Sequence, residues 1–282
     1  MATPLDWYNL RQLRTQGFSA HQRSTSLGSV HWLEARGGGE DTLVLVHGLG
    51  ARGTHYRRLC IALLPHVKRL ILPDLPGHGH SHLPEDAYTT AAIQAGLEEF
   101  LDEVLIDEPA VLYGNSLGGR AVLQYGARRP DRVRGLVVTS PAGGRARTMS
   151  VEEVAESFRV KSHADAVAFT DRVFSRPVPL KHAVARLVWA QLREPSVRLL
   201  IERTGEHDIL PPEELRALKP PTLFVWGGAE KILPYEHLEY FQTHLPEHVR
   251  FEHPEHYGHS AYAEHPEDLA ARLIDFKRSL RA

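Results

Sequence analysis

The stretch Tyr113-Gly114-Asn115-Ser116-Leu117-Gly118-Gly119 decides how this chain is read. It holds the pattern G-x-S-x-G, the signature of a nucleophile elbow, in which a serine sits on a sharp turn between a strand and a helix. The flanks supply that context. Ala110-Val111-Leu112-Tyr113 is a short apolar run of the buried-strand type, and Arg120-Ala121-Val122-Leu123-Gln124-Tyr125 has helical character. Glycines beside the serine let the chain turn tightly where a Cβ would collide with neighbouring backbone. The five-residue pattern alone arises by chance in roughly one chain in ten of this length, so the other segments must decide.

They point to an α/β protein. Thr42-Leu43-Val44-Leu45-Val46, Arg69-Leu70-Ile71-Leu72, Gly135-Leu136-Val137-Val138-Thr139, Thr222-Leu223-Phe224-Val225-Trp226 and Val249-Arg250-Phe251 are further short apolar runs. Such runs predict strands covered on both faces. Ser29-Val30-His31-Trp32-Leu33-Glu34 alternates and predicts another strand. Between the strands, Ile93, Leu97, Leu101 and Val104 share a helical face, as do Leu269, Leu273, Phe276 and Leu280. Strands alternating with helices predict a doubly wound, mostly parallel sheet. The alternation breaks between about residues 141 and 218. Helical pieces over 151–160, 164–174 and 184–192 are expected there, punctuated by Pro177, Pro179, Pro195, Pro211 and Pro212. The expected organisation is a core of residues 1–141 and 219–282, with residues 142–218 inserted as a helical cap.

Composition bounds the function. The 282 residues carry 33 basic and 35 acidic side chains, a net charge of −2. That balance offers no electrostatic footprint for nucleic acid or an anionic membrane. No apolar run approaches a membrane span. The N-terminus lacks a basic stretch followed by an apolar one, and the single Cys60 cannot form an internal disulfide. A cytoplasmic protein is therefore expected.

A serine is a weak nucleophile and needs a base, usually a histidine oriented by a carboxylate. Ligands of open α/β sheets bind beyond the carboxyl ends of the strands. Glu230 lies there, in Gly227-Gly228-Ala229-Glu230 after the strand 222–226. The loop after 249–251 carries His253, His256 and His259, of which His259, between Gly258 and the last helix, is the expected base. The backbone N–H of Leu117, next to the serine, is one expected oxyanion donor. A second would come from the turn His47-Gly48-Leu49-Gly50, where His47 is read as a structural hydrogen-bonder. His78, His80 and His82 alternate within Asp74-Leu75-Pro76-Gly77-His78-Gly79-His80-Ser81-His82, but no second cluster of ligands accompanies them. A glycine-rich turn is preferred there to a metal site.

Taken in order, His47-Gly48, the segment from Asp74 to Ser81, Gly114-Asn115-Ser116-Leu117-Gly118-Gly119, Trp226-Gly227 through Pro234, and Gly258-His259 with Glu264-His265-Pro266 resemble the α/β-hydrolase superfamily, serine esterase and lipase type. The resemblance implies the α/β-hydrolase fold, with Ser116 as nucleophile, His259 as base, Glu230 as acid, and backbone donors at Leu49 and Leu117. It implies a small-molecule ester substrate, no cofactor and no metal. Most relatives carry Asp where this chain has Glu230, and Asp208 is the reserve acid. Ser140-Pro141-Ala142-Gly143 is similar to the monoacylglycerol lipase and esterase branch. Asn115 also occurs in carbon–carbon bond hydrolases of ring-fission products, although Ser260 and Ala261 follow His259 where those carry Trp. Ester hydrolysis on a Ser-His-Glu triad, with acyl groups of small to medium size or monoacylglycerols, is the leading expectation. Carbon–carbon or thioester hydrolysis on the same triad is the alternative, and a non-catalytic ligand-binding protein of this fold comes third. Val154, Phe158, Val167, Phe169, Phe174, Leu187 and Trp189 of the insertion would line an apolar acyl site, with ordinary packing within the cap the expected account for most of them.

Overall fold

A computed structural model describes residues 3–281. Its eight strands are β1 (Ser19–Thr25), β2 (Gly28–Arg36), β3 (Thr42–Val46), β4 (Arg69–Pro73), β5 (Ala110–Asn115), β6 (Val133–Thr139), β7 (Thr222–Val225) and β8 (Arg250–Glu252). They form one sheet in the order β1-β2-β4-β3-β5-β6-β7-β8. The pairs β1/β2 and β2/β4 are antiparallel, and every later pair is parallel.

The apolar runs become central strands because both sheet faces are covered. Along β3, Val44 and Val46 enter one core while Leu43 and Leu45 enter the other. Along β5, Ala110 and Leu112 alternate with Val111 and Tyr113 in the same way. This is the period of two that a pleated strand imposes. One face packs against helices Thr90–Val104 and Leu117–Arg128, through Ile93, Leu97, Phe100, Val122 and Tyr125. The other packs against helices Arg57–Leu63 and Pro266–Ser279, through Leu59, Cys60, Leu63, Leu269, Leu273 and Phe276.

The register sets the site. Val46 pairs with Gly114, Asn115 with Thr139, Thr139 with Val225 and Val225 with Glu252. The carboxyl ends of five strands therefore lie in one row. The loops that leave this row carry Leu49, Ser116, Ser140, Glu230 and His259.

Between β6 and β7 the chain forms helices Val151–Glu156, His163–Val173, Lys181–Leu192, Pro195–Arg203 and Pro212–Arg216. The first three match the expected helical pieces, the first ending four residues early. The last two fall where the prolines of the sequence predict punctuation. Pro195 and Pro212 instead open helices, where a missing N–H costs nothing and the fixed φ is already helical. Residues 3–25 form helix Pro4–Thr15, capped by Thr3, and the edge strand β1, neither of which the sequence patterns predict. Six of the seven β1 residues are exposed, so no alternation marks it. The helix did carry a signal: Thr3 and Asp6 form a capping box around Pro4. No helix among the described residues is long and apolar enough to cross a membrane.

Candidate active site

Ser116 joins β5 to helix Leu117–Arg128 at φ 54° and ψ −118°, a conformation costly for a residue with a side chain. The surroundings enforce it. The Ser116 N–H donates to the Thr139 carbonyl at 3.1 Å, and its carbonyl accepts from the Arg120 and Ala142 N–H groups, each at 3.0 Å. The flanking glycines are required by contact. A Cβ on Gly114 would lie 2.3 Å from the Gly118 oxygen, and one on Gly118 would lie 2.2 Å from the Val46 oxygen. The G-x-S-x-G pattern thus records a place where two strands and a helix meet too closely for side chains.

His259 and Glu230 come together from loops that follow β8 and β7. His259 Nδ1 lies 2.8 Å from Glu230 Oε2, and both side chains are almost wholly buried. Glu230 Oε1 accepts from the Ile232 and Leu233 N–H groups at 2.7 and 3.1 Å. The longer side chain is therefore clamped at both oxygens. Burial opposes its charge, but His259 beside it, and hydrogen bonds from His259, Ser140 and the Ile232 N–H, hold the carboxyl below its ordinary range. Asp208, the reserve acid, accepts from the Thr90 hydroxyl and, at 3.0 Å, from the Gly205 N–H. The carboxylate placed against His259 is that of Glu230.

Asn115 has a positioning role that its sequence context did not disclose. Its Nδ2 donates to the Thr139 carbonyl at 3.1 Å and to the His259 carbonyl at 2.9 Å. It ties the backbone of the histidine loop to the strand that carries Ser116. A three-residue tie across 144 positions of sequence leaves no local pattern to read.

His47 is structural, as expected. Its Nδ1–H donates to the Gly48 carbonyl at 2.8 Å and its Nε2 accepts from the Leu75 N–H at 2.9 Å. Burial, reinforced by His78, pushes this ring down to about 3, so it is neutral. It fixes the turn carrying Leu49 against the loop after β4. That loop is organised by Asp74, which accepts from the Gly53 and His80 N–H groups at 2.8 and 2.9 Å and faces His31 Nδ1 at 3.0 Å. Burial would raise Asp74, but His31, His47 and these N–H groups bring it down to about 2. His78 packs against His47 and His80 against His31. Among the described residues no group of three or more His, Cys, Asp or Glu side chains could hold a metal ion. His256 faces Asp268 on the surface, and His253 is exposed.

Two cavities open on Ser116. The smaller, of about 100 Å³, is lined by Leu49, Leu117, Val154, Leu200, Leu233 and His237 among others. The larger, of about 240 Å³, reaches His259 and is walled by Phe169, Phe174, Leu187, Tyr262 and, from the N-terminal helix, Leu5 and Asn9. Phe158 stands between them and lines both. Of the expected apolar lining, Val154, Phe158, Phe169, Phe174 and Leu187 face these cavities. Val167 is half-buried against the core, and Trp189 lines a separate hollow with Arg159 and Arg198. Leu49 and Leu117 border both the serine and the small cavity. Leu117 is the first residue of its helix, so its N–H has no acceptor within that helix.

The sequence and the fold have known counterparts. Residues 43–272 match the alpha/beta hydrolase family, and the chain belongs to it. Lipase 1 of Psychrobacter immobilis is 28% identical over 217 residues, 73% of this chain and 68% of that protein. The 2-hydroxy-6-oxo-6-(2'-aminophenyl)hexa-2,4-dienoic acid hydrolase of Metapseudomonas resinovorans is 25% identical over 279 residues, 94% of each chain. The crystal structure of a membrane phospholipase A described as a bacterial virulence factor superposes with a TM-score of 0.80 at 26% identity, covering 98% of this chain and 91% of that one.

Proposed function

We propose that the protein is a serine hydrolase that cleaves carboxylic esters through an acyl-enzyme. The observation that carries this reading is the buried pair His259 Nδ1 to Glu230 Oε2, at 2.8 Å, on a ring that shares a cavity wall with the strained Ser116. With Glu230 at Nδ1, the proton resides there and Nε2 is free to accept. Nε2 takes the Ser116 proton as the hydroxyl attacks the ester carbonyl. The N–H groups of Leu49 and Leu117 hold the tetrahedral oxyanion, where one such donor is worth about 3–4 kcal/mol. His259 then protonates the leaving alcohol, and a water deprotonated by the same ring releases the acid. Glu230 stabilises the imidazolium in both halves of the cycle.

In this reading residues 142–218 act as a cap over the core formed by 1–141 and 219–282. Its helices wall both cavities, and so set which acyl and alcohol groups fit. The lipase relative supports an ester substrate, and the dienoic acid hydrolase supports carbon–carbon cleavage on the same residues as a second reading. A panel of p-nitrophenyl esters of rising chain length, monoacylglycerols, thioesters and vinylogous 1,5-diketones separates them. Esters are expected to give kcat/KM values at least tenfold above the diketones, and the opposite order would favour carbon–carbon hydrolysis.

A further inference from the structure

We propose that Glu264 is a positioning residue for the base: by tying Ser175, in the helical segment between β6 and β7, to the segment that carries His259, it holds the imidazole in register with Ser116. The inference rests on the reading of Ser116 and His259 as nucleophile and base, and adds what fixes the second of them on the side away from the sheet.

Glu264 closes the single-turn helix Ala261–Glu264, which begins just after His259 and Ser260. Its Oε1 accepts from the Ser175 N–H and from the Ser175 hydroxyl, each at 2.8 Å. Ser175 lies just beyond the end of helix His163–Val173. Gly258, the residue before His259, is pressed against both partners. A Cβ there would lie 2.7 Å from the Ser175 nitrogen, 2.8 Å from Glu264 Oε2 and 3.0 Å from the Val173 oxygen. The Gly258-His259 pair thus has the same origin as the glycines of the elbow: backbone passes where a side chain has no room. Phe174, between Val173 and Ser175, lines the larger cavity. One joint therefore fixes a wall of the substrate site and the base together.

The other holds on His259 come from the strand ends: Glu230 meets Nδ1, and Asn115 donates to the His259 carbonyl. Among the described residues, the Ser175–Glu264 pair supplies the hydrogen bonds that join the segment between β6 and β7 to residues 258–264. Glu264 also has a feature that packing does not explain. Its Oε2 is buried and has no hydrogen-bond partner among the described residues. An unsatisfied carboxylate oxygen costs stability, and native structures keep few such groups. A carboxylate retained here at that cost fits a geometric role beside the base. The leverage is large, because a shift of about 1 Å in a reacting group lowers turnover by about 10²-fold.

The test combines steady-state kinetics on p-nitrophenyl hexanoate with active-site titration by a fluorophosphonate. Glu264→Ala is expected to lower kcat about 10²-fold and to leave KM within about threefold, the pattern of a loss felt in the transition state. Titration separates positioning from folding. The expected result is complete phosphonylation of Ser116 in the variant, reached about 10²-fold more slowly than in the wild type. A residue that merely supported the fold would leave fewer competent sites, each reacting at the wild-type rate. Glu264→Gln keeps an oxygen for both Ser175 donors and should recover most of the rate. Ser175→Ala, which loses the hydroxyl and keeps the N–H, should fall between the two, and it carries the same comparison if Glu264→Ala does not fold. Wild-type kcat in Glu264→Ala and Ser175→Ala, a loss that Glu264→Gln does not recover, or fewer sites at an unchanged rate per site would each overturn the proposal. Failure of the wild-type protein itself to be phosphonylated at Ser116 counts instead against the hydrolytic reading.

Discussion

Replacing Ser116 with alanine is expected to lower kcat for the best ester by about five to six powers of ten, the scale seen when a triad nucleophile is removed. The fold should survive. Alanine keeps the Cβ that the φ of 54° already accommodates, and the three backbone hydrogen bonds at this residue do not involve the hydroxyl. Thermal stability should therefore stay within about 1 kcal/mol of the wild type. The large kinetic loss with a small stability change is the informative combination. Retention of wild-type esterase activity by the purified variant would remove Ser116 from the reaction.

The second large effect is expected at Glu230. Glu230→Gln keeps the size of the side chain but replaces the acceptor at His259 Nδ1 with a neutral amide, and loses stabilisation of the imidazolium. A comparable change in a Ser-His-Asp triad costs about 10⁴ in kcat, and a loss of 10³–10⁴ is expected here. The comparison with Asp208→Asn makes the test selective. Asp208 is committed to Thr90 and Gly205, so its substitution should cost stability, about 1–3 kcal/mol for broken buried hydrogen bonds, and leave kcat within about tenfold. A larger kinetic loss in Asp208→Asn than in Glu230→Gln would transfer the acid's role to Asp208. Both assays are steady-state kinetics on folded protein, with unfolding curves recorded alongside.

Much of the fold was legible because burial on both sheet faces writes itself into sequence. Thr42 to Val46 and Ala110 to Tyr113 could be recognised as strands since each position meets a core, whichever way it points. The edge strand β1 meets solvent at nearly every position and carries no such mark. The N-terminal helix was missed for a related reason: its buried side chains are Asp6, Asn9 and Leu13, two of them polar. Yet this helix lends Leu5 and Asn9 to the wall of the larger cavity.

At the site, the elbow was readable because steric crowding leaves only glycine at positions 114 and 118. Glu230 and His259 were placed by their loops after β7 and β8, and the sheet register brings those loops together. The substitution of Glu for Asp looked like a difficulty from sequence. The structure accommodates it through two backbone N–H groups on the second oxygen, a detail no side-chain pattern encodes. Asn115 escaped for the same reason: its partners, Thr139 and His259, lie far along the chain. The insertion helices were partly legible, but Pro195 and Pro212, which in sequence look like breaks, begin helices.

The central claim is that Ser116 is an activated nucleophile. It is tested most directly by treating the folded protein with a fluorophosphonate and locating the adduct by peptide mass spectrometry. A single stoichiometric phosphonyl adduct on Ser116, lost in Ser116→Ala and much slowed in His259→Gln, is the predicted result. An unmodified Ser116 under conditions that label an active serine esterase to completion, or an adduct on a different serine, would contradict it.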